Sequence, residues 1–209
     1  MNYLAHLYLA QPNADSHFGN LLGDFGGKRH VKQMPITVKN ALDNHYLVDK
    51  FTDSHPAIKE AKHYFSAERK RFAGIAIDVV FDHFLIQHWQ NFHQEPLVEF
   101  KQNSYQLLNE RISDMPCTMQ QTVWSMTKND WFKEYETLTG IGLALDNIAK
   151  RIRFTNNFSG AVEDIHRHYS ELDTLFLAFF PQLINHVNQY ALEVSNVKNT
   201  VKLNYEITK

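Results

Sequence analysis

The chain has 209 residues, 44% of them apolar, which suits one globular core rather than a fibre or an unfolded segment. Lys and Arg number 21 against 23 Asp and Glu, a formal charge of −2, so the overall balance calls for neither nucleic acid nor an anionic membrane surface. The single cysteine, Cys117, excludes an internal disulfide framework, cannot alone build a thiolate metal site, and points to a reducing compartment, the cytoplasm.

Apolar residues recur three and four apart almost everywhere and strict alternation is scarce, which predicts an all-α fold. One helical domain is expected over 1–195, followed by a polar, loosely attached tail over 196–209. The opening MNYLAHLYLA reads as a core helix rather than a signal sequence, because it lacks a basic leader and carries His6 in its middle. No stretch reaches the roughly 18 apolar residues of a membrane span.

Gln11-Pro12-Asn13 ends this helix, and Asp15 or Ser16 is placed to cap a second one running through Asn20 to Asp24, broken at Phe25-Gly26-Gly27. After the basic loop Lys28-Arg29-His30-Val31-Lys32, Pro35 opens a long helix to about Asp53, and Ser54-His55-Pro56 is the next stop and start. A helix over 57–69 leads into 75–89, apolar on every side and therefore expected to be central. Further helices are predicted over 96–112, 116–126, 141–152 and 161–194, the last kinked or split at Pro181.

The segment DVVFDHFL puts Asp78, Asp82 and His83 into that apolar helix. At 3.6 residues per turn Asp78 and Asp82 project roughly 40° apart, with His83 about 100° beyond Asp82. Two nearby buried carboxylates repel each other and need a cation, a proton or several hydrogen bonds. The alternatives are a salt bridge for Asp78 and a hydrogen-bonded core position for His83.

The preceding long helix adds His45, Asp49 and Asp53 at four-residue steps, one polar stripe able to converge on an ion or to face water. In GNLLGDFGG, Asn20 and Asp24 lie one turn apart, and the glycines allow close backbone approach or simple helix capping. His6 is a fourth candidate, and a lone histidine in such a place is more often core than ligand.

MNYLAHLYLA, GNLLGDF, the 45–56 stretch ending VDKFTDSHP, and IDVVFDHFLIQHW together resemble the acyl carrier protein phosphodiesterase family, as do TLTGIGLALDNIAKRI and FLAFFP further on. The resemblance implies a helical fold similar to the histidine-aspartate (HD) phosphohydrolases. It also implies hydrolysis of the phosphodiester joining phosphopantetheine to a serine of holo acyl carrier protein. The cofactor implied is a divalent metal, manganese first, with magnesium, iron or another divalent ion as alternatives.

On this sequence the implied metal set is Asp24, His45, Asp78, Asp82 and His83. Asp49, Asp53 and His83 are the implied catalytic groups, and His6, Asn20 and Arg151 the supporting or substrate-binding ones. Asp82-His83 stands in the reverse of the wider superfamily's order, and Tyr46 stands where relatives often carry a basic residue. Carrier proteins are acidic, so Lys28, Arg29, Lys32, Lys59, Lys62, Arg69, Lys70 and Arg71 are candidate docking charges. Two other functions fit the same residues: a metal phosphohydrolase acting on a nucleotide or small phosphoester, and a non-catalytic helical module whose polar cluster only fixes helix register.

Overall fold

Helices replace the apolar periodicity almost throughout the computed structural model, which describes residues 1–194; the tail expected over 196–209 lies outside them. In chain order they are α1 (Tyr3–Tyr8), α2 (Ala14–Leu22), α3 (Gly27–His30), α4 (Ile36–Ser54), α5 (Pro56–Ala61), α6 (Ala73–Gln87), α7 (Trp89–Phe92), α8 (Leu97–Glu110), α9 (Cys117–Asn129), α10 (Trp131–Glu134), α11 (Leu138–Arg151), α12 (Val162–Arg167) and α13 (Tyr169–Tyr190). No strand occurs among the described residues, so the chain is all-α, and one continuous apolar core joins residues from Met1 to Leu183. No described helix is long and apolar enough to cross a membrane.

The core is organised around α6, whose residues from Val79 through Ile86 are all buried, as its lack of a polar face predicts. It touches α1, α5, α11 and α13. Phe81 and Phe84 meet Phe176 of α13 at ring-centroid distances of 5.3 and 5.9 Å, and burying each such ring stabilises the fold by roughly 1.5–3 kcal/mol. On the other side α2 lies along α4 so closely that a β-carbon on Gly19 would stand 2.4 Å from that of Ala41. Glycine there lets α2 bring Asn20 against His45.

Three boundaries differ from the sequence reading. The α2 cap is Asn13, whose side chain accepts from the Ser16 amide at 3.0 Å, while Asp15 is drawn off by Arg111 and Thr37. The helix expected over 57–69 stops at Ala61 and gives way to 3₁₀ turns, because the Ser66 amide donates to Asp164 of α12 at 3.1 Å and Phe65 is extended. The last helical region breaks at His168, not at Pro181, which sits on the exposed face of an uninterrupted α13.

Candidate metal centre

Three chain segments bring polar groups together at the buried end of α1: α1 itself with His6, the α2 end with Asn20 to Asp24, and α4 with His45 and Asp49. The rings of His6 and His45 stack at 4.1 Å. Asp49 reaches both, its Oδ1 at 3.2 Å from His6 Nε2 and its Oδ2 at 3.0 Å from His45 Nε2. All three donor atoms lie within 4.8 Å of one another. His6 is wholly buried and His45 nearly so, while the Asp49 side chain keeps 37% of its surface open, so the group has one accessible side.

This geometry asks for a positive charge. His45 Nδ1 lies 2.8 Å from the Asn20 carbonyl, and donating there leaves Nε2 as a lone pair aimed at a carboxylate oxygen. Neither ring nitrogen of His6 makes a hydrogen bond despite complete burial, the Asp49 contact being misaligned for one. A proton or a cation resolves both clashes. Two donors bound at right angles about 2.1 Å from one ion stand about 3 Å apart, the spacing between each imidazole nitrogen and its carboxylate oxygen. Two imidazoles and a carboxylate suit manganese, iron or zinc, and the donor set therefore fits a divalent ion.

The charges around the group follow. Burial pulls His6 down to about 3, keeping it neutral, against the smaller upward pull of Asp49. For His45 burial also acts downward, but the adjoining Asp49 and the nearby Asp24 outweigh it and raise the imidazole. Asp49 is held well below the usual carboxylate range because His45 and His6 together outweigh its own desolvation. Asp24 feels both His45 and Asp49, and desolvation pushes it up to about 6. Its own surface stays exposed, so the surrounding protein rather than loss of all water contact does this. Gly23 serves the same group, since a β-carbon there would stand 2.0 Å from the His45 ring; the close approach is to an imidazole.

The remaining candidates divide by helix face. Asp82 accepts from the Leu4 and Ala5 amides at 2.9 and 3.0 Å, so it ties down the first turn of α1 and positions His6 rather than joining the cluster directly. Burial pushes its carboxyl up to about 7 even against those two bonds. Asp78 stands 3.2 Å from the Met1 α-amino group, which is also 3.5 Å from Asp49; desolvation outweighs that ammonium and raises Asp78. Asp53 is exposed one turn beyond Asp49, close enough to Asp78 for its charge to be felt.

His83 is not brought to this group. Its Nδ1 lies 2.7 Å from the Tyr135 carbonyl and its Nε2 2.9 Å from the Tyr169 hydroxyl, the partners of a structural histidine. Asn20 contributes its backbone carbonyl, while its amide is held by Ser16, Asn44 and Glu193. Arg151 ends α11 and lines a neighbouring cavity with Tyr3 and Trp131, a grouping the sequence reading missed except for the arginine. Lys28 lies over the Tyr46 ring at 5.2 Å, so a positive charge stands beside that position.

Comparison with known proteins agrees over most of the chain. The family profile described as acyl carrier protein phosphodiesterase matches residues 1–183. Relatives carrying that name include one from Serratia proteamaculans, 34% identical over 187 residues, covering 88% of this chain and 96% of the relative. One from Yersinia pestis is 33% identical over 185 residues with the same coverages. Another from Escherichia coli O157:H7 is 31% identical over 196 residues, covering 92% of this chain and all of the relative. No solved structure matches the chain.

Proposed function

The chain belongs to the acyl carrier protein phosphodiesterase family, a family of phosphodiester hydrolases, and from that premise we propose that it frees the phosphopantetheine arm of holo acyl carrier protein. The bond broken joins the arm's phosphate to a carrier serine, so the products are apo carrier protein and 4'-phosphopantetheine. In this reading a divalent ion, manganese first, is held by His6, His45 and Asp49. What supports the ion is one observation: a wholly buried imidazole with neither nitrogen hydrogen-bonded, facing a carboxylate that also faces a second imidazole.

When bound, the ion supplies Lewis-acid polarisation of the phosphoryl group and a lowered pKa for water. The protein's own groups do the rest. The Asn20 carbonyl holds the His45 tautomer, and Asp82 holds the α1 turn that carries His6. Asp24, with a carboxyl near 6, can hold or give a proton at neutral pH and is the best placed group to protonate the departing serine oxygen. Asp53, one turn from Asp49 at the open edge, is placed to orient the attacking water. The exposed Lys28, Arg29 and Lys32 follow directly after Asp24 in the chain and suit an acidic carrier. A carrier substrate and a reduced Cys117 both suit the cytoplasm.

Incubating the full chain with holo carrier protein and manganese should lower the carrier's mass by the phosphopantetheine group. A carrier of unchanged mass, with a known holo-carrier hydrolase active in parallel, overturns the assignment.

A further inference from the structure

Beside the metal centre, against the start of α1, lies a cavity of about 350 Å³ walled by α1, α9, α10 and α11. Small-molecule sites run from about 300 to 1,000 Å³. Tyr3, Trp131 and Tyr135 give it aromatic walls, the first two rings 6.4 Å apart. Three primary amides, Asn2, Asn129 and Asn147, also line it. Asn2 donates to the Tyr135 hydroxyl and Asn129 to Ser125, both at 3.2 Å, which leaves their amide oxygens without a partner among the described residues. Arg151 and the exposed Glu134 are the charged members of the lining, and no carboxylate of the described residues, Glu134 included, forms an ion pair with the guanidinium.

The cavity and the metal centre both draw on α1. Tyr3 and His6 lie three residues apart on α1 and so project from adjoining positions. Tyr3 stacks on Phe25 at 6.3 Å, directly after Asp24, and its hydroxyl feels the charges of both Asp24 and Arg151. A ligand in this cavity therefore ends near the hydrolytic group.

Apart from the exposed Glu134, the lining suits a narrow, uncharged chain carrying secondary amides, with methylene or methyl stretches against the rings and an anion at the end facing the guanidinium. We propose that this cavity holds the pantetheine arm of the carrier protein, with Arg151 contacting its phosphate. The assignment rests on the phosphodiesterase reading above for its occupant, and on Asn2, Tyr3, Asn129, Trp131, Asn147 and Arg151 for its place.

Free pantetheine, the arm without phosphate or carrier, is the probe. Titrated into the full chain by calorimetry or ligand-observed NMR it should bind saturably, and it should compete with holo carrier in the hydrolysis assay. Ala144→Trp fills the cavity, and Asn147→Trp fills its mouth from an exposed position that the core does not need. Both should abolish pantetheine binding and raise KM for holo carrier. Arg151→Gln should raise that KM by about tenfold or more with a smaller change in kcat, since a charge-assisted bond to phosphate is lost.

If wild-type protein releases the arm while pantetheine neither binds nor competes, or if both tryptophan variants bind it as before with folded spectra, the cavity is not the arm site. Saturable binding of adenosine with no binding of pantetheine would likewise overturn it. If holo carrier is left intact, the activity fails first, and pantetheine binding still decides the cavity by itself: lost in both variants it stands, absent from wild type it falls.

Discussion

Two histidines on neighbouring helices show how differently the same side chain can be buried. His83 of α6 has a partner for each ring nitrogen, the Tyr135 carbonyl and the Tyr169 hydroxyl, and burial lowers its pKa. His6 of α1 is buried more deeply, with neither nitrogen hydrogen-bonded and a carboxylate 3.2 Å away. The first is a satisfied core residue that adds helix specificity. The second keeps both ring nitrogens unpaired beside a carboxylate, the arrangement the proposed cation would satisfy. Burial alone therefore does not separate structural from chemical histidines; the fate of the lone pairs does.

The sharpest way to break this contrast is to remove each side in turn. His45→Ala or Asp49→Asn takes away one of the three donors to the proposed cation and should lower kcat/KM for holo carrier at least about thousandfold, roughly 4 kcal/mol of transition-state stabilisation. His83→Phe should leave activity within about tenfold, and its cost should appear in the denaturation midpoint, about 1–3 kcal/mol for the unpaired Tyr169 and Tyr135 groups. The measurement is steady-state kinetics beside urea unfolding. A dead His83→Phe with intact stability, or an active Asp49→Asn, reverses the assignment of the two histidines.

Gly23→Ala tests the positioning rather than the donors. The added methyl would stand 2.0 Å from the His45 ring, inside any permitted contact, so the imidazole must swing away from Asp49. We expect about a hundredfold loss of activity and weaker manganese binding with the helical content unchanged, since a misplacement near 1 Å can cost that much. Activity equal to wild type would mean that His45 need not occupy its observed place.

Asp82 lies between the two cases. It is wholly buried, yet both its oxygens accept amides of α1, so Asp82→Ala leaves two buried N–H groups unpaired. A loss of roughly 1.5–3 kcal/mol in unfolding free energy is expected. Activity should fall mainly through loosened His6, so that manganese affinity drops as well. Intact stability with activity alone abolished would point to a direct role for the carboxylate.

The sequence carried much of this, and its limits are physical. Helical periodicity found every long helix, and the 3.6-residue turn already put His83 about 100° away from Asp82, on a different face. The resemblance nonetheless grouped Asp82 and His83 as ligands, since a motif records which residues matter and not what each touches. His6 could not be promoted from the sequence, because its role depends on α1 packing against α4, a contact about forty residues apart in the chain. The helix predicted past Ala61 failed for the same reason: the Asp164 carboxylate that captures the Ser66 amide comes from 98 residues away. The amide-lined cavity had no local signature beyond Arg151, its asparagines being spread over α9, α11 and the residue before α1.

The smallest expected effect, and the most discriminating for the cation, is the pH dependence of manganese binding in the absence of substrate. His6, lowered to about 3, and Asp49, held below the usual carboxylate range, carry no proton to displace between pH 5 and 8. His45 does, because Asp49 raises its pKa above the ordinary histidine value. Affinity should therefore be insensitive to His45 above that raised pKa and weaken as pH falls through it, by up to about tenfold per unit for one displaced proton. Asp24, ionising near 6, sharpens the fall in the same direction, and Asp24→Asn separates its share. Calorimetry in buffers of different ionisation enthalpy reads the released proton directly. A dissociation constant flat from pH 5 to 8, with no proton released, would mean that the ion binds without His45 and that the satisfied and unsatisfied histidines differ for some other reason.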